Sequence, residues 1–168
     1  IAHSLGLKIS AVAETHIHAD FLSGSAEFAS TMNTRCYLSA CGDSDWQYQW
    51  PANSGTKACF LSDGDTFKIG SVKVSVMHTP GHTPEHICFV VQDKDSEGPI
   101  GIATGDFVFV GDLGRPDLLE TAAGIEGVME RSAEQLHKSC QRFLEMDEYL
   151  QVWPAHGAGS ACGKSLGA

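Results

Sequence analysis

The chain has 168 residues, enough for one domain with a sizeable core and short for two. With 42% hydrophobic and 19% charged residues, its composition excludes disorder as the main state. Its formal net charge of -10 argues against nucleic acid or an anionic membrane as partner, because neutralising phosphates needs clustered cations. A small anionic substrate needs only a local cation or a metal. No apolar run approaches membrane-spanning length and no signal peptide is visible. The six cysteines form no CxxC pair. Without a secretory signal they predict reduced thiols and a cytoplasmic setting.

In chain order, residues 1–7 read as a helix end stopped at Gly6, and 8–13 as a buried strand. Residues 21–30 read as a helix and 35–39 as a short strand. Residues 40–54 read as a loop, in which Trp46, Tyr48 and Trp50 either line a substrate mouth or cap the core. Asp63-Gly64-Asp65 marks a turn between two β-type runs. Val72, Val74 and Val76 alternate with polar residues, as a half-buried strand does. Residues 87–92 and 100–104 predict further strands, 123–146 one long helix, and 151–153 a last strand. Strands interleaved with few helices predict an α/β, layered architecture in a single domain spanning 1–168. Such a fold would open on a pair of strands before residue 1, so the chain reads as a fragment of a longer one.

Four strand ends carry the chemistry. After the first strand comes Thr15-His16-Ile17-His18-Ala19-Asp20. In an extended segment positions i, i+2 and i+4 share a face, so His16, His18 and Asp20 can converge on a divalent metal, or else form a polar edge. After the valine strand comes His78-Thr79-Pro80-Gly81-His82-Thr83-Pro84-Glu85-His86, where two prolines and a glycine hold His82 in a rigid loop. His78 and His86 read as supporting or packing residues. Thr104-Gly105-Asp106 offers an anionic ligand or a solvated turn, and Pro154-Ala155-His156-Gly157 a histidine held between proline and glycine. Two further patterns read as decoys. Residues 158–165 fit a loose phosphate-loop pattern without its flanking strand and helix, and His137 with Cys140 share a helix face without a further ligand. Cys162 reads as a small packed residue.

In this order and spacing, Thr-His-Ile-His-Ala-Asp, Thr-Pro-Gly-His-Thr-Pro, Thr-Gly-Asp and Pro-Ala-His-Gly resemble the metallo-β-lactamase superfamily across residues 15–157. The resemblance implies an αββα sandwich, here without its first strands. His-Ala-Asp together with Gly114-Arg115-Pro116-Asp117 resembles the persulfide dioxygenases, and residues 154–164 resemble members fused to rhodanese domains. The superfamily's HxHxDH motif ends in a histidine that helps hold a second metal. Phe21 stands there, which weakens a dinuclear zinc thioesterase of the glyoxalase II kind. Carried over residue by residue, the resemblance implies one Fe(II) per chain held by His16, His82 and Asp106, with zinc as a replacement. His18, Asp20 and His156 then orient ligands, hold water or serve a second metal. Asp20 and Arg115 are carried as catalytic residues, and Arg115 and Lys164 as substrate-binding ones. Arg115 is equally readable as the partner of Asp117 or Asp112. The implied reaction is oxidation of glutathione persulfide, or a related small thiol, by O2 to sulfite and the free thiol. A fused or partner rhodanese domain is implied, and the oligomeric state is left open. The alternatives are the zinc thioesterase and a non-catalytic metal-bearing module of a rhodanese fusion.

Overall fold

The structure, a computed structural model, describes residues 1–18, 20–53, 55–121, 124, 126–157, 160 and 162. After a 3-10 turn at His3–Leu5 the elements run β1 (Ala11–Ala13), α1 (Ser25–Met32), β2 (Arg35–Ser39), β3 (Ala58–Leu61), β4 (Thr66–Ile69), β5 (Val72–His78), β6 (Ile87–Gln92) and β7 (Gly101–Gly105). The hairpin β8 (Val108–Phe109) and β9 (Asp112–Leu113) follows, then α2 (Leu118–Thr121), α3 (Met129–Leu144) and β10 (Gln151–Pro154). Strands β1, β2 and β3 form one parallel sheet. A second sheet has the order β10-β7-β6-β5-β4, antiparallel except where β10 runs parallel to β7.

Alternation along the strands sorts the side chains into layers. Tyr37 and Leu61 of the first sheet meet Val74, Val76, Ile87 and Phe89 of the second, and Tyr37 stacks on Phe67 with ring centroids 4.1 Å apart. On the outer face of the first sheet, Cys36 and Leu38 pack under Ala29 of α1. On the outer face of the second, Met77, Cys88 and Ile102 pack under Leu136 of α3. Helix, sheet, sheet and helix therefore stack as the expected αββα sandwich. Each fully buried aliphatic side chain, such as Ile87 or Ile102, contributes about 1.5–3 kcal/mol over an exposed one.

Three sequence expectations are corrected here. The segment read as a helix end at 1–7 is only the 3-10 turn, closed by Gly6 at φ +68°. The helix read from 21 starts at Ser25, because the Ser23 and Ser25 hydroxyls both donate to Glu14, which holds the preceding residues out of helical register. The helix read from 123 starts at Met129, because Gly124 and Gly127 take the left-handed conformation, at φ +68° and +75°. The turn expected at 63–65 lies between β3 and β4, and it carries the chain from the first sheet to the second. The aromatic loop is also resolved: Tyr48 and Trp50 pack against the core beneath α1 and cap it.

Candidate metal centre

Strand direction gathers the four motifs. Both β5 and β7 are antiparallel to β6 and so point the same way, and β10 is parallel to β7. Their C-terminal ends lie at one edge of the second sheet. The loop after β1 is tied to the same edge by the Ile87 amide donating to the Thr15 carbonyl at 2.8 Å.

At that edge the ligating atoms of His16, His82 and Asp106 lie within 4.8 Å of one another, and all three residues are buried. Asp106 Oδ2 stands 3.7 Å from His16 Nε2 and 3.4 Å from His82 Nε2. His16 Nε2 and both Asp106 oxygens are buried without any hydrogen-bond partner. Orphaned polar atoms of this kind cost free energy unless something coordinates them. Two imidazoles and one carboxylate converging on a common point fit a divalent transition metal. Burial, reinforced by the neighbouring imidazoles of His86, His18 and His82, drives the His16 pKa far below its ordinary value. Burial also lowers that of His82, against the opposing pull of Asp106. Both rings are therefore neutral and carry a free lone pair at neutral pH, as metal binding requires.

The loop after β1 is not the extended strand the sequence suggested, since β1 ends at Ala13. The chain bends because the Ile17 amide donates to buried Glu85 at 2.7 Å. His18 turns away from the three-residue cluster to pair through Nε2 with Glu14 at 3.1 Å, and its Nδ1 lies 4.0 Å from Asp20. Hydrogen bonds from His18, Ser23 and Ser25 outweigh the burial that raises the Glu14 pKa, and leave it lowered. His156 Nε2 sits 3.3 Å from Asp20 Oδ2 and 3.4 Å from Asp106 Oδ1. Asp20, His156 and Cys162 form a second group whose ligating atoms lie within 4.8 Å. Phe21, 51% exposed, lies against His18 with ring centroids 4.1 Å apart and the rings tilted by 30°.

Arg115 pairs with Asp117 through Nε at 3.1 Å and Nη2 at 2.6 Å, one of the two partners weighed from the sequence. Its backbone amide donates to the Cys162 carbonyl at 3.1 Å, which joins the 114–117 motif to the segment after β10. Lys164 and most of the phosphate-loop pattern lie outside the described residues. His137 and Cys140 belong to neither ligand group, and Cys140, on α3, packs against the core that this helix covers. His78 Nε2 donates to the Pro84 carbonyl at 2.9 Å.

Two supporting residues, Glu85 and Glu14, escaped the sequence reading, and a third, His86, was left there as supporting or packing. His86, wholly buried, accepts the Asp106 amide at Nε2 (3.1 Å) and bonds Thr79 Oγ1 through Nδ1 (2.8 Å). Its Nδ1 therefore carries the proton. Glu85 links the loops by accepting from Ile17 and Thr83. Glu14 holds His18. The one signal for all three was polar residues flanking motif histidines. Their roles come from long-range contacts that spacing does not reveal.

Gly105 has φ +52°, and a Cβ there would meet His86 Nε2 at 2.7 Å and press on the Thr15 side chain. Gly105→Ala is expected to cost at least about 2 kcal/mol through left-handed strain and overpacking. By moving His86 it should weaken metal affinity about 10–100-fold. Thermal melting and metal titration of the variant measure both, and an unchanged affinity would show that His86 does not position Asp106.

The family model of the metallo-beta-lactamase superfamily matches residues 2–156, so the chain belongs to that superfamily. It is similar to a metallo-beta-lactamase from Staphylococcus aureus, with 46% identity and a TM-score of 0.87 over 99% of this chain and 48% of that one. It is also similar to ETHE1 from Myxococcus xanthus, with 27% identity and a TM-score of 0.65 over 97% of this chain and 60% of that one. A hydroxyacylglutathione hydrolase from Crocosphaera subtropica is 26% identical over 152 residues, 90% of this chain and 52% of that protein. The chain thus spans about half the length of these relatives. Among the described residues no helix is long and apolar enough to cross a membrane.

Proposed function

We propose that this domain is a mononuclear non-haem iron persulfide dioxygenase acting on glutathione persulfide. The observation that carries the proposal is the buried set of two imidazoles and one carboxylate, with His18 drawn off to Glu14 and Phe21 where a further imidazole would stand. A two-histidine, one-carboxylate face with open positions suits Fe(II) oxygenases. The similarity to a hydroxyacylglutathione hydrolase supports a glutathione-bearing substrate. The reaction balances as R–S–SH + O2 + H2O → R–SH + sulfite + 2 H+. The terminal sulfur loses four electrons, O2 gains them, and the S–S bond breaks.

His16, His82 and Asp106 would hold the iron. When bound, it supplies electrons and adjacent positions for a sulfur anion and O2. The neutral imidazoles leave the charge of Asp106 as the only fixed anion among the three ligands. The burial of His16, His82 and Asp106 keeps bulk water from the ligand atoms. Asp20 Oδ2, at the exposed rim and 3.3 Å from His156 Nε2, is placed to take a proton from the water that releases sulfite. Arg115 acts through its hold on the Cys162 segment as much as by charge, and Lys164 is assigned to the anionic end of the substrate. A cytoplasmic setting and a rhodanese domain that handles the same sulfur complete the proposal.

The second reading is a dinuclear zinc thioesterase. The carboxylate of Asp20 beside His156 and the hydrolase relatives favour it. Anaerobic loading with Fe(II), followed by O2 uptake and sulfite assay on glutathione persulfide, separates the two. One iron per chain with equal O2 consumption and sulfite release is expected. Thioester cleavage with two zincs and no O2 uptake would overturn the dioxygenase reading.

A further inference from the structure

The inner side of α3 carries polar residues that the metal centre does not use. Leu136, Ser139 and Arg142 follow one another at helical i, i+3 spacing, so they share that side. All three meet the first half of the loop that carries His82. Gly81 passes so close to the helix that a Cβ on it would stand 2.5 Å from the Leu136 Cβ. Ser139, 2% exposed, donates through Oγ to the Pro80 carbonyl at 2.8 Å. Arg142 Nη1 donates to the His78 carbonyl at 3.0 Å, and its Nη2 reaches both oxygens of Asp63 at 3.1 Å. Asp63 Oδ1 in turn accepts the His78 amide at 2.7 Å.

The end of a strand ladder explains why side chains are needed here. On the β4 side of β5 the pairing stops at Thr66 opposite Ser75. The 63–65 turn carries it one step further, where the Val76 amide donates to the Asp65 carbonyl at 2.8 Å and the Val76 carbonyl accepts from the Gly64 amide at 2.9 Å. His78 is the next residue of β5 to face that side, and β4 does not reach it. Its backbone amide and carbonyl go to Asp63 and Arg142 instead, since such groups need partners. The Asp63–Arg142 pair is about half exposed, and exposed pairs add little stability. Its effect is on position: it fixes the point at which the loop leaves β5, and Ser139 fixes the loop again at Pro80. His82 follows directly, with Nε2 3.4 Å from Asp106 Oδ2.

We propose that Arg142, together with Asp63 and Ser139, is a positioning residue for the metal centre: α3 places His82 by holding the backbone at His78 and Pro80, and thereby sets how tightly and in what geometry the metal is held. Arginine suits the task because one planar fork donates to a carboxylate and a carbonyl at once, which the point charge of a lysine does not reproduce. The inference rests on the three-residue centre and is independent of the dioxygenase reaction.

Cobalt(II) titration of the full, metal-free chain under anaerobic, reducing conditions tests it. The readout is the visible ligand-field band that His16→Ala abolishes, set beside thermal melts of the metal-free proteins. Arg142→Ala is expected to bind cobalt about tenfold more weakly and to alter the band. Its melting temperature should fall by no more than about 4 °C. Asp63→Ala should weaken cobalt by a similar factor. Lys138→Ala, which removes an exposed cation from the same helix, should change neither readout. A lower melting temperature with native affinity and a native band in Arg142→Ala would show a merely structural tie and overturn the inference. Should Arg142→Ala fail to fold, Arg142→Lys decides: weaker binding with an altered band supports the inference, and native values overturn it. A native chain without the cobalt band overturns the centre itself, whereas native binding that Arg142→Ala leaves unchanged overturns this inference alone.

Discussion

Asp106→Asn is expected to lose the metal of the three-residue centre and about three orders of magnitude or more of activity, while the metal-free protein becomes more stable. The substitution is nearly isosteric, so the Asp106 amide keeps its bond to His86 Nε2 at 3.1 Å and the turn after β7 survives. What disappears is the negative charge between His16 Nε2 at 3.7 Å and His82 Nε2 at 3.4 Å. A metal's electrostatic contribution is worth several kcal/mol, and each 1.36 kcal/mol is about tenfold in rate, which sets the thousandfold scale. The stability gain has the opposite sign for a physical reason. Both carboxylate oxygens are buried with no hydrogen bond, and the imidazoles they face are neutral. Without metal the charge is uncompensated, and a neutral amide there costs less to bury. A gain of about 1 kcal/mol would raise the melting temperature by about 2–4 °C. Metal analysis, steady-state rates and thermal melts of the two metal-free proteins decide it. A variant that keeps its metal is incompatible with Asp106 as a ligand. A lower melting temperature would mean that the carboxylate is structural.

Acid should unfold the metal-free protein from the imidazole range downward, well before the carboxylates titrate. Burial lowers the pKa of His16, His82 and His86 in the folded state. In the unfolded chain each returns to about 6.5. Below that pH the unfolded state binds protons that the folded state refuses, so stability falls as pH falls. Each imidazole contributes about 1.4 kcal/mol per pH unit for as long as the pH lies between its two pKa values. Against a typical total of about 5–15 kcal/mol, even one such ring makes a measurable slope. Glu14, Asp63 and Asp117 have lowered values and act in a separate, more acidic window. Their stabilisation is intact above the ordinary carboxylate range and is lost only as pH falls through it. Urea unfolding between pH 7.5 and 5 measures the slope, and His86→Gln should reduce it. A flat profile over that interval would show that the three rings titrate normally in the fold. Bound metal should hold the profile up, because it binds the folded state alone and competes with protons for the same lone pairs.

The strand of Val72, Val74 and Val76 was legible because alternation of apolar and polar residues has the strand period, while 35–39 and 87–92 were legible as short runs that the structure wholly or partly buries along most of their length. The helix boundaries were not. Ser23 and Ser25 are ordinary helix-start residues until Glu14, nine and eleven residues earlier, is seen to take their hydroxyls. The motif histidines were legible as candidates because proline and glycine flank them at strand ends. Which of them share a centre was not. His16 and His18 are equivalent on a strand, and the Ile17–Glu85 bond, spanning 68 residues, is what turns one inward and leaves the other to Glu14.

Sequence by itself determined the layered α/β architecture, the superfamily resemblance and the set of residues from which a metal centre can be drawn, since these rest on local periodicity and on residue chemistry. Only the tertiary structure decided that His86 and Glu85 support the centre and that Arg115 is committed to Asp117. It alone brought Cys162, read from the sequence as a packed residue, beside Asp20 and His156. The reason is that these groups meet through the common direction of β5, β7 and β10, and that direction is fixed by strand pairings between residues tens of positions apart.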